Sequence, residues 1–154
     1  MNLNIGAGLD IREGYINCDI RLLPRIDMIC DARKLPLKNE SCKEILAIDI
    51  LEHLDRGEIE NTLKEWIRVL EYGGYLILQS PDILELFRLY QNGQLDFSEL
   101  VRRLYGGQDY KENYHKAGFE LCQMKELLER LGLEICEDKH INGNFWLKTK
   151  LNDI

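Results

Sequence analysis

The stretch Leu3–Ile20, LNIGAGLDIREGYINCDI, decides how this chain reads. An apolar strand runs into Gly6-Ala7-Gly8, and a second strand ends in the acid Asp19. Nucleotide-binding sheets begin in this way. The link Ala7–Gly14, however, is too short for the helix that normally joins two such strands. Gly6 and Gly8 let the backbone turn sharply and approach a ligand closely. A carboxylate at the position of Asp19 can take both hydroxyls of a ribose. A third glycine in register and a helix N-terminus for a pyrophosphate are missing, and the acid comes too early for a dinucleotide fingerprint. The expected ligand has a ribose and no phosphates.

Outward from this stretch, strand candidates are Asn2–Gly6, Tyr15–Ile20, Asp27–Cys30 and Glu44–Asp49. A helix follows at about Arg56–Glu71, where Ile59, Leu63, Trp66, Ile67 and Leu70 share one face. Trp66 and its neighbours on that stripe read as core. Gly73-Gly74 stops the helix, and Tyr75–Leu78 is the next strand. Asp82 is a candidate N-cap for another helix and a candidate substrate contact at the end of that strand. A short helix near Ser98–Tyr105 lies within the irregular segment Gln91–Gly118. A helix near Cys122–Leu131 follows, then Leu133–Asp138 and Asn144–Thr149 joined by Asn142-Gly143, a strong hairpin signal. Strand–helix alternation through the middle predicts an α/β fold with a mostly parallel sheet and an antiparallel C-terminal hairpin. The whole chain, 1–154, reads as a single domain of ordinary size, with the insert at about 91–118.

The first two strands alternate. Asn2 and Asn4 oppose Leu3 and Ile5, while Asn17 and Asp19 oppose Ile16, Cys18 and Ile20. Strands buried on both faces read instead as continuous apolar runs. The helices are therefore expected to be trimmed from one face of the N-terminal half of the sheet. The face bearing Asn2, Asn4 and Asn17 should be exposed or lie in a subunit contact. A homodimer would add burial to a small core. Parallel neighbours usually need a longer crossover than Ala7–Gly14, but a parallel pairing is what places Asp19 beside the glycine turn.

A net charge of −7 argues against gripping phosphate backbones, so no nucleic-acid partner is expected. Five cysteines, with no CxxC pair, read as reduced core thiols of a cytoplasmic protein rather than a disulfide framework or a zinc site. No metal is expected. No apolar run approaches membrane-spanning length, and no membrane partner is expected.

Taken in order, LNIGAG…YINCDI, DARKLPL, AIDILEHL, LKEWIRVLEYGGYLILQSPD and LLERLGLEI resemble successive motifs of class I S-adenosylmethionine-dependent methyltransferases, the small type 11-like group. The resemblance covers nearly the whole chain. It implies a three-layer-derived, Rossmann-like sheet with S-adenosylmethionine as cofactor. It further implies that Gly6, Ala7 and Gly8 turn against the methionine part and that Asp19 binds the ribose. Asp31 and the backbone of Ala32 would meet adenine, and Ile48 and Asp49 would end the fourth strand beside the sulfonium. The segment LYGGQDYKENYHKAGF also resembles an insert of short methyltransferases that occur near sugar and cell-surface polysaccharide genes.

Methyl transfer to a small-molecule acceptor, a sugar hydroxyl in the sharpest form, is the function this implies. A hydroxyl acceptor must lose a proton, for which a histidine suits. His53, just after the fourth strand, is the first candidate catalytic base and His115 in the insert the second. The insert is expected to close as a lid, with Tyr105 and Tyr114 as substrate-binding candidates. The alternative is a non-catalytic module that binds S-adenosylmethionine or S-adenosylhomocysteine and scaffolds or regulates a partner.

Overall fold

The computed structural model describes residues 1–152. Seven strands, β1 (Asn2–Ile5), β2 (Ile16–Asp19), β3 (Met28–Ile29), β4 (Cys42–Ile48), β5 (Leu70–Pro81), β6 (Leu133–Ile141) and β7 (Asn144–Leu151), form one sheet. Its order is β3-β2-β1-β4-β5-β7-β6. Pairings from β3 to β5 are parallel. Those of β7 with β5 and β6 are antiparallel. The helices are α1 (Ile59–Val69), α2 (Ile83–Gln91), α3 (Phe97–Tyr105) and α4 (Leu121–Arg130), with 3₁₀ turns at Leu51–His53 and Arg56–Glu58. This is the Rossmann-like sheet with an antiparallel C-terminal hairpin that the sequence led us to expect. None of these helices is long and apolar enough to cross a membrane.

α1 stops earlier than its apolar period suggested, because Leu70 is already extended and begins β5. Gly74 explains the junction. A Cβ there would sit 2.8 Å from the Glu71 carbonyl oxygen and 2.9 Å from that of Lys43, so β4 and β5 can approach only over a glycine. Ile59, Leu63, Trp66 and Val69 of α1 join Met124 and Leu128 of α4 and the inward residues of the sheet in one core. Trp66 is fully buried, and its indole N–H donates to the Ala32 carbonyl at 2.8 Å, which ties α1 to the segment after β3. Asn142 and Gly143 both have positive φ, as a tight two-residue hairpin turn requires.

The asparagine face departs from expectation. Asn4 and Asn17 are paired in register across β1 and β2, and both are buried. Nor does a helix cover them. The link after β1 folds back over them, and their amides satisfy its irregular backbone. Asn4 Nδ2 donates to the Asp10 carbonyl at 2.8 Å and to Asn17 Oδ1 at 3.0 Å. Asn17 Oδ1 also accepts from the Arg12 N–H at 2.8 Å, and its Nδ2 donates to the Arg12 and Tyr15 carbonyls. A helix pairs its own backbone groups; this loop cannot, and borrows side chains instead. That device makes the short parallel crossover workable. Only Asn2 is left half-buried.

The cysteines also divide differently. Cys18 and Cys42 are buried and Cys30 is half-buried, but Cys122 and Cys136 are exposed. Both exposed thiols sit on amphipathic elements, a helix and the edge strand, where apolar neighbours in sequence do not mean burial in space.

Candidate functional site

The parallel strands deliver their last residues to one edge of the sheet, where open α/β sheets bind ligands. Gly6 follows β1 with a φ of 66°, and a Cβ there would lie 2.7 Å from the Ile50 side chain. Only glycine fits that turn. Two residues on, the Gly8 N–H donates to Asp19 Oδ2 at 2.9 Å. The Arg21 N–H and Nε reach Asp19 Oδ1 at 2.9 and 3.1 Å. Burial alone would raise the Asp19 pKa; the hydrogen bonds from Arg21 and Gly8 outweigh it and hold the carboxyl below its ordinary value. Asp31 is gripped by Arg33, whose guanidinium also pairs with Glu58 at 2.9 Å.

Gly6, Asp19, Asp31, Ala32 and Asp49 line one cavity of about 310 Å³. Ala7, Gly8 and Ile48 do not. Ala7 is buried, and Gly8 acts through its N–H on Asp19. The strand ends at Ile48, and Asp49 turns the chain with a φ of 52°, so Ile50 faces the cavity in place of Ile48. A left-handed non-glycine residue is uncommon and strained, and such residues gather at functional sites. Gln79 Nε2 at 3.2 Å and Asn144 Nδ2 at 3.3 Å hold the Asp49 carboxylate. Its side chain opens to the cavity yet has protein on most sides, so desolvation raises its pKa against the pull of Gln79.

A second cavity of about 310 Å³ adjoins the first, and Asp49, His53 and Tyr110 line both. Glu52, Arg103, Asn113, His115 and Asn144 complete its polar wall. Glu52 is buried, and its Oε2 accepts from the Ser80 hydroxyl at 2.7 Å. Burial and then the charge of Asp49 push its carboxyl up to about 8. The backbone carbonyl of Glu52 accepts from the N–H groups of Lys116 and Ala117, which fastens the end of the insert to the end of β4. His53 and His115 therefore meet edge to face, with ring centroids 4.9 Å apart. His115 Nδ1 lies 2.8 Å from the Arg103 carbonyl oxygen. A carbonyl only accepts, so Nδ1 carries the proton and Nε2 is left with a lone pair. Burial lowers the pKa of both histidines.

Three of the expected substrate contacts are not in either cavity. Tyr105 and Tyr114 are exposed and line neither. Asp82 is buried, its Oδ1 capping α2 through the N–H groups of Leu84 and Glu85, and its Oδ2 bonded to the Leu121 N–H and His140 Nε2. All its acceptor capacity serves the fold. The residues that sequence reasoning passed over are Tyr110, Arg21, Glu52 and Arg103. Glu52 stands beside a singled-out histidine, and Tyr110 lies among the insert aromatics; only the fold separates it from Tyr105 and Tyr114.

A methyltransferase domain family model matches residues 5–78. No curated protein matches the chain in sequence. Among solved structures, the fold is similar to that of a S-adenosylmethionine-dependent methyltransferase of Methanosarcina mazei, with a TM-score of 0.70 and 20% identity, covering 99% of this chain and 92% of that one. It is also similar to the 1,6-didemethyltoxoflavin-N1-methyltransferase of Burkholderia thailandensis, solved with 1,6-didemethyltoxoflavin and S-adenosylhomocysteine bound, at a TM-score of 0.67 and 12% identity over 99% of this chain and 71% of that one. At these identities the structural likeness speaks for the fold, while the family match covers the segment carrying the glycine turn, Asp19 and the end of β4. Residues 5–78 thus carry a methyltransferase domain, set in the fold of the S-adenosylmethionine-dependent methyltransferases, and the cofactor is S-adenosylmethionine.

Proposed function

We propose that the chain transfers the methyl group of S-adenosylmethionine to a hydroxyl of a small polar molecule, such as a sugar, bound in the second cavity. The observation that carries this reading is the wall shared by the two cavities: Asp49, His53 and Tyr110 face both. In this reading the first cavity is the cofactor cleft. The turn at Gly6, Ala7 and Gly8 backs the methionine part, Asp19 takes the ribose hydroxyls, and Asp31 with the backbone of Ala32 meets adenine. The sulfonium then lies near Asp49 and Ile50, with its methyl directed at the second cavity. Methyl transfer is an in-line displacement at an activated carbon. Holding donor and acceptor in line supplies up to roughly 7–11 kcal/mol of the barrier lowering.

The second cavity has the size of a small-molecule site and a wall of polar groups suited to hydroxyls. The fold itself tolerates a small acceptor beside the cofactor, since the Burkholderia enzyme was solved with both of its ligands bound. His53 and His115 turn ring nitrogens rather than fixed charge toward the acceptor, and act on its hydroxyl proton. A module that only held the cofactor would have no use for a second polar cavity opening on the same residues. The unpaired thiols support a reducing, cytoplasmic setting for this activity.

The test is transfer from methyl-labelled S-adenosylmethionine to a panel of sugars, nucleotide sugars and other small alcohols, with amines and thiols alongside. Labelled ether product, with S-adenosylhomocysteine released in equal amount, supports the reading. A protein that binds cofactor stoichiometrically but methylates only amines or thiols, or nothing, overturns it.

A further inference from the structure

We propose that Glu52, His53 and His115 bind a divalent metal ion of the zinc, cobalt or manganese kind, and that this ion holds the acceptor hydroxyl during methyl transfer. One donor atom from each of the three side chains lies within 4.8 Å of the other two. Tetrahedral ligands at about 2.0–2.2 Å from an ion stand about 3.3–3.6 Å apart, so side-chain rotations that draw the donors together by about 1 Å close the set on an ion. Cysteine spacing gave no reason to expect a metal. The fold assembles one from a glutamate and histidines on two distant segments.

Each ligand carries a feature that suits metal binding. His53 Nδ1 is buried with no partner among the described residues, and such atoms are rare in folded proteins. His115 is held by the Arg103 carbonyl so that Nε2 offers a lone pair to the cavity; metal-binding histidines are usually oriented in this manner by their second nitrogen. Glu52 is nearly fully buried, yet its side chain's only hydrogen-bonding partner among the described residues is the Ser80 hydroxyl. Asp49, on the same cavity, adds a second negative group. Arg102 is paired with Glu99, while Arg103 bonds the neutral oxygens of Asn142 and Asn144 and keeps its charge near Asp49. Two imidazoles with a carboxylate match a borderline divalent ion.

Three protein ligands leave coordination positions open for substrate. The role of the ion rests on the methyl-transfer reading, whereas its binding does not. With the histidines serving as ligands, the ion takes the place of a histidine base: a bound alcohol becomes more acidic on the metal and releases its proton to solvent. The oxygen lone pair then forms the C–O bond to the methyl carbon as the C–S bond breaks, and that electron pair returns to sulfur. Alcohol and sulfonium become methyl ether, neutral S-adenosylhomocysteine and one proton. The metal is neither oxidised nor reduced.

The experiment uses the full chain, stripped with EDTA and titrated with Co²⁺ and Zn²⁺ in the presence of S-adenosylhomocysteine. Calorimetry should give one ion per chain, and Co²⁺ should develop visible bands of a low-symmetry nitrogen–oxygen site. His115→Ala and Glu52→Gln should weaken binding by at least the roughly 10–100-fold that loss of an outer-shell partner costs. Ser80→Ala, which only orients Glu52, should fall in that range. Cys122→Ser and Cys136→Ser should change nothing, which excludes thiol capture at the surface. Retained S-adenosylhomocysteine binding serves as the check that each variant is folded. No stoichiometric binding, or binding untouched by both His115→Ala and Glu52→Gln, overturns the proposal. Transfer that survives EDTA but not His115→Ala also overturns it, and leaves the acceptor reading intact with a histidine base. One ion bound, lost in both variants, with no alcohol methylated, supports the ion site and rejects the acceptor reading.

Discussion

The guanidinium of Arg21 lies 4.3 Å from the centroid of the Tyr110 ring. Through the Nε of Arg21 that stack reaches Asp19, so the insert is joined to the acid at the end of β2. Tyr110→Ala removes a wall of both cavities together with a cation–π contact of about 0.5–1 kcal/mol. Cofactor affinity measured by calorimetry should fall about twofold to fivefold, and methyl transfer should fall further. Tyr114→Ala, whose side chain is exposed away from the cavities, should leave both unchanged. Tighter cofactor binding in Tyr110→Ala would mean instead that the stack holds the cleft shut.

Asp19 is tested at two levels. Asp19→Ala should weaken S-adenosylmethionine binding by roughly 1.5–3 kcal/mol, the usual worth of hydrogen bonds to a charged group. A folded variant with unchanged affinity removes Asp19 from the ribose site. The second level is pH. The folded-state pKa of Asp19 is depressed. Its contribution to stability is therefore fully present above the unfolded value of about 3.9 and is lost as pH falls through the lower folded value. Asp19→Asn cannot titrate, so thermal melts should show a shallower acid limb below about pH 4 than the parent protein. Parallel acid limbs would show that Arg21 and Gly8 do not favour the ionised form.

Asn17→Ala addresses the loop that replaces a helix. It strands the Arg12 N–H and removes one of the two acceptors of the Asn4 amide, which keeps the Asp10 carbonyl, and a buried group left unsatisfied costs about 1–3 kcal/mol. Chemical denaturation should show a loss at least in that range, with weaker cofactor binding because the same loop carries Gly8. Asn2→Ala, whose side chain makes no hydrogen bond among the described residues, should stay within about 0.5 kcal/mol of the parent. Equal effects from the two would dismiss the amide network as the device that closes the crossover.

The sheet was legible because its strands announce themselves by β-branched and apolar runs, and the hairpin by Asn142-Gly143. Gly6, Asp19, Asp31, Ala32 and Asp49 fall on one cavity for a simple reason: any parallel sheet gathers the residues just beyond its strand ends. The asparagines misled because polarity in a strand has two meanings. It marks a face turned to water, or a face that satisfies irregular backbone packed against it, and alternation alone does not separate them. The insert tyrosines were illegible for another reason. Which of Tyr105, Tyr110 and Tyr114 faces inward depends on successive left-handed turns at Gly106 and Gln108, and no periodicity encodes those. Glu52 was hidden by its type, since a glutamate in a sequence reads as surface until its neighbours are known.

The insert itself gives the last prediction. The sequence reads it as a lid that supplies substrate contacts. The structure puts Tyr110, Lys111 and Glu112 against the first cavity, and Tyr110 and Asn113 against the second. The tip is also self-closed. The Gln108 N–H donates to the Asn113 carbonyl at 2.9 Å, and the His115 N–H to that of Tyr105 at 3.1 Å. Residues 108–113 can therefore be excised with a short glycine bridge while α3 and His115 stay in place. Cofactor affinity should fall several-fold, in keeping with loss of the Tyr110 contact of about 0.5–1 kcal/mol. It should not vanish, because Gly6, Asp19 and Asp31 remain. Methyl transfer should be lost, because the wall between donor and acceptor is gone. Co²⁺ binding should persist, since Glu52, His53 and His115 all lie outside the deletion. Retained transfer would show that the tip only covers the core. Loss of Co²⁺ binding with cofactor binding kept would show that the tip, and not the end of β4, holds His115 in position.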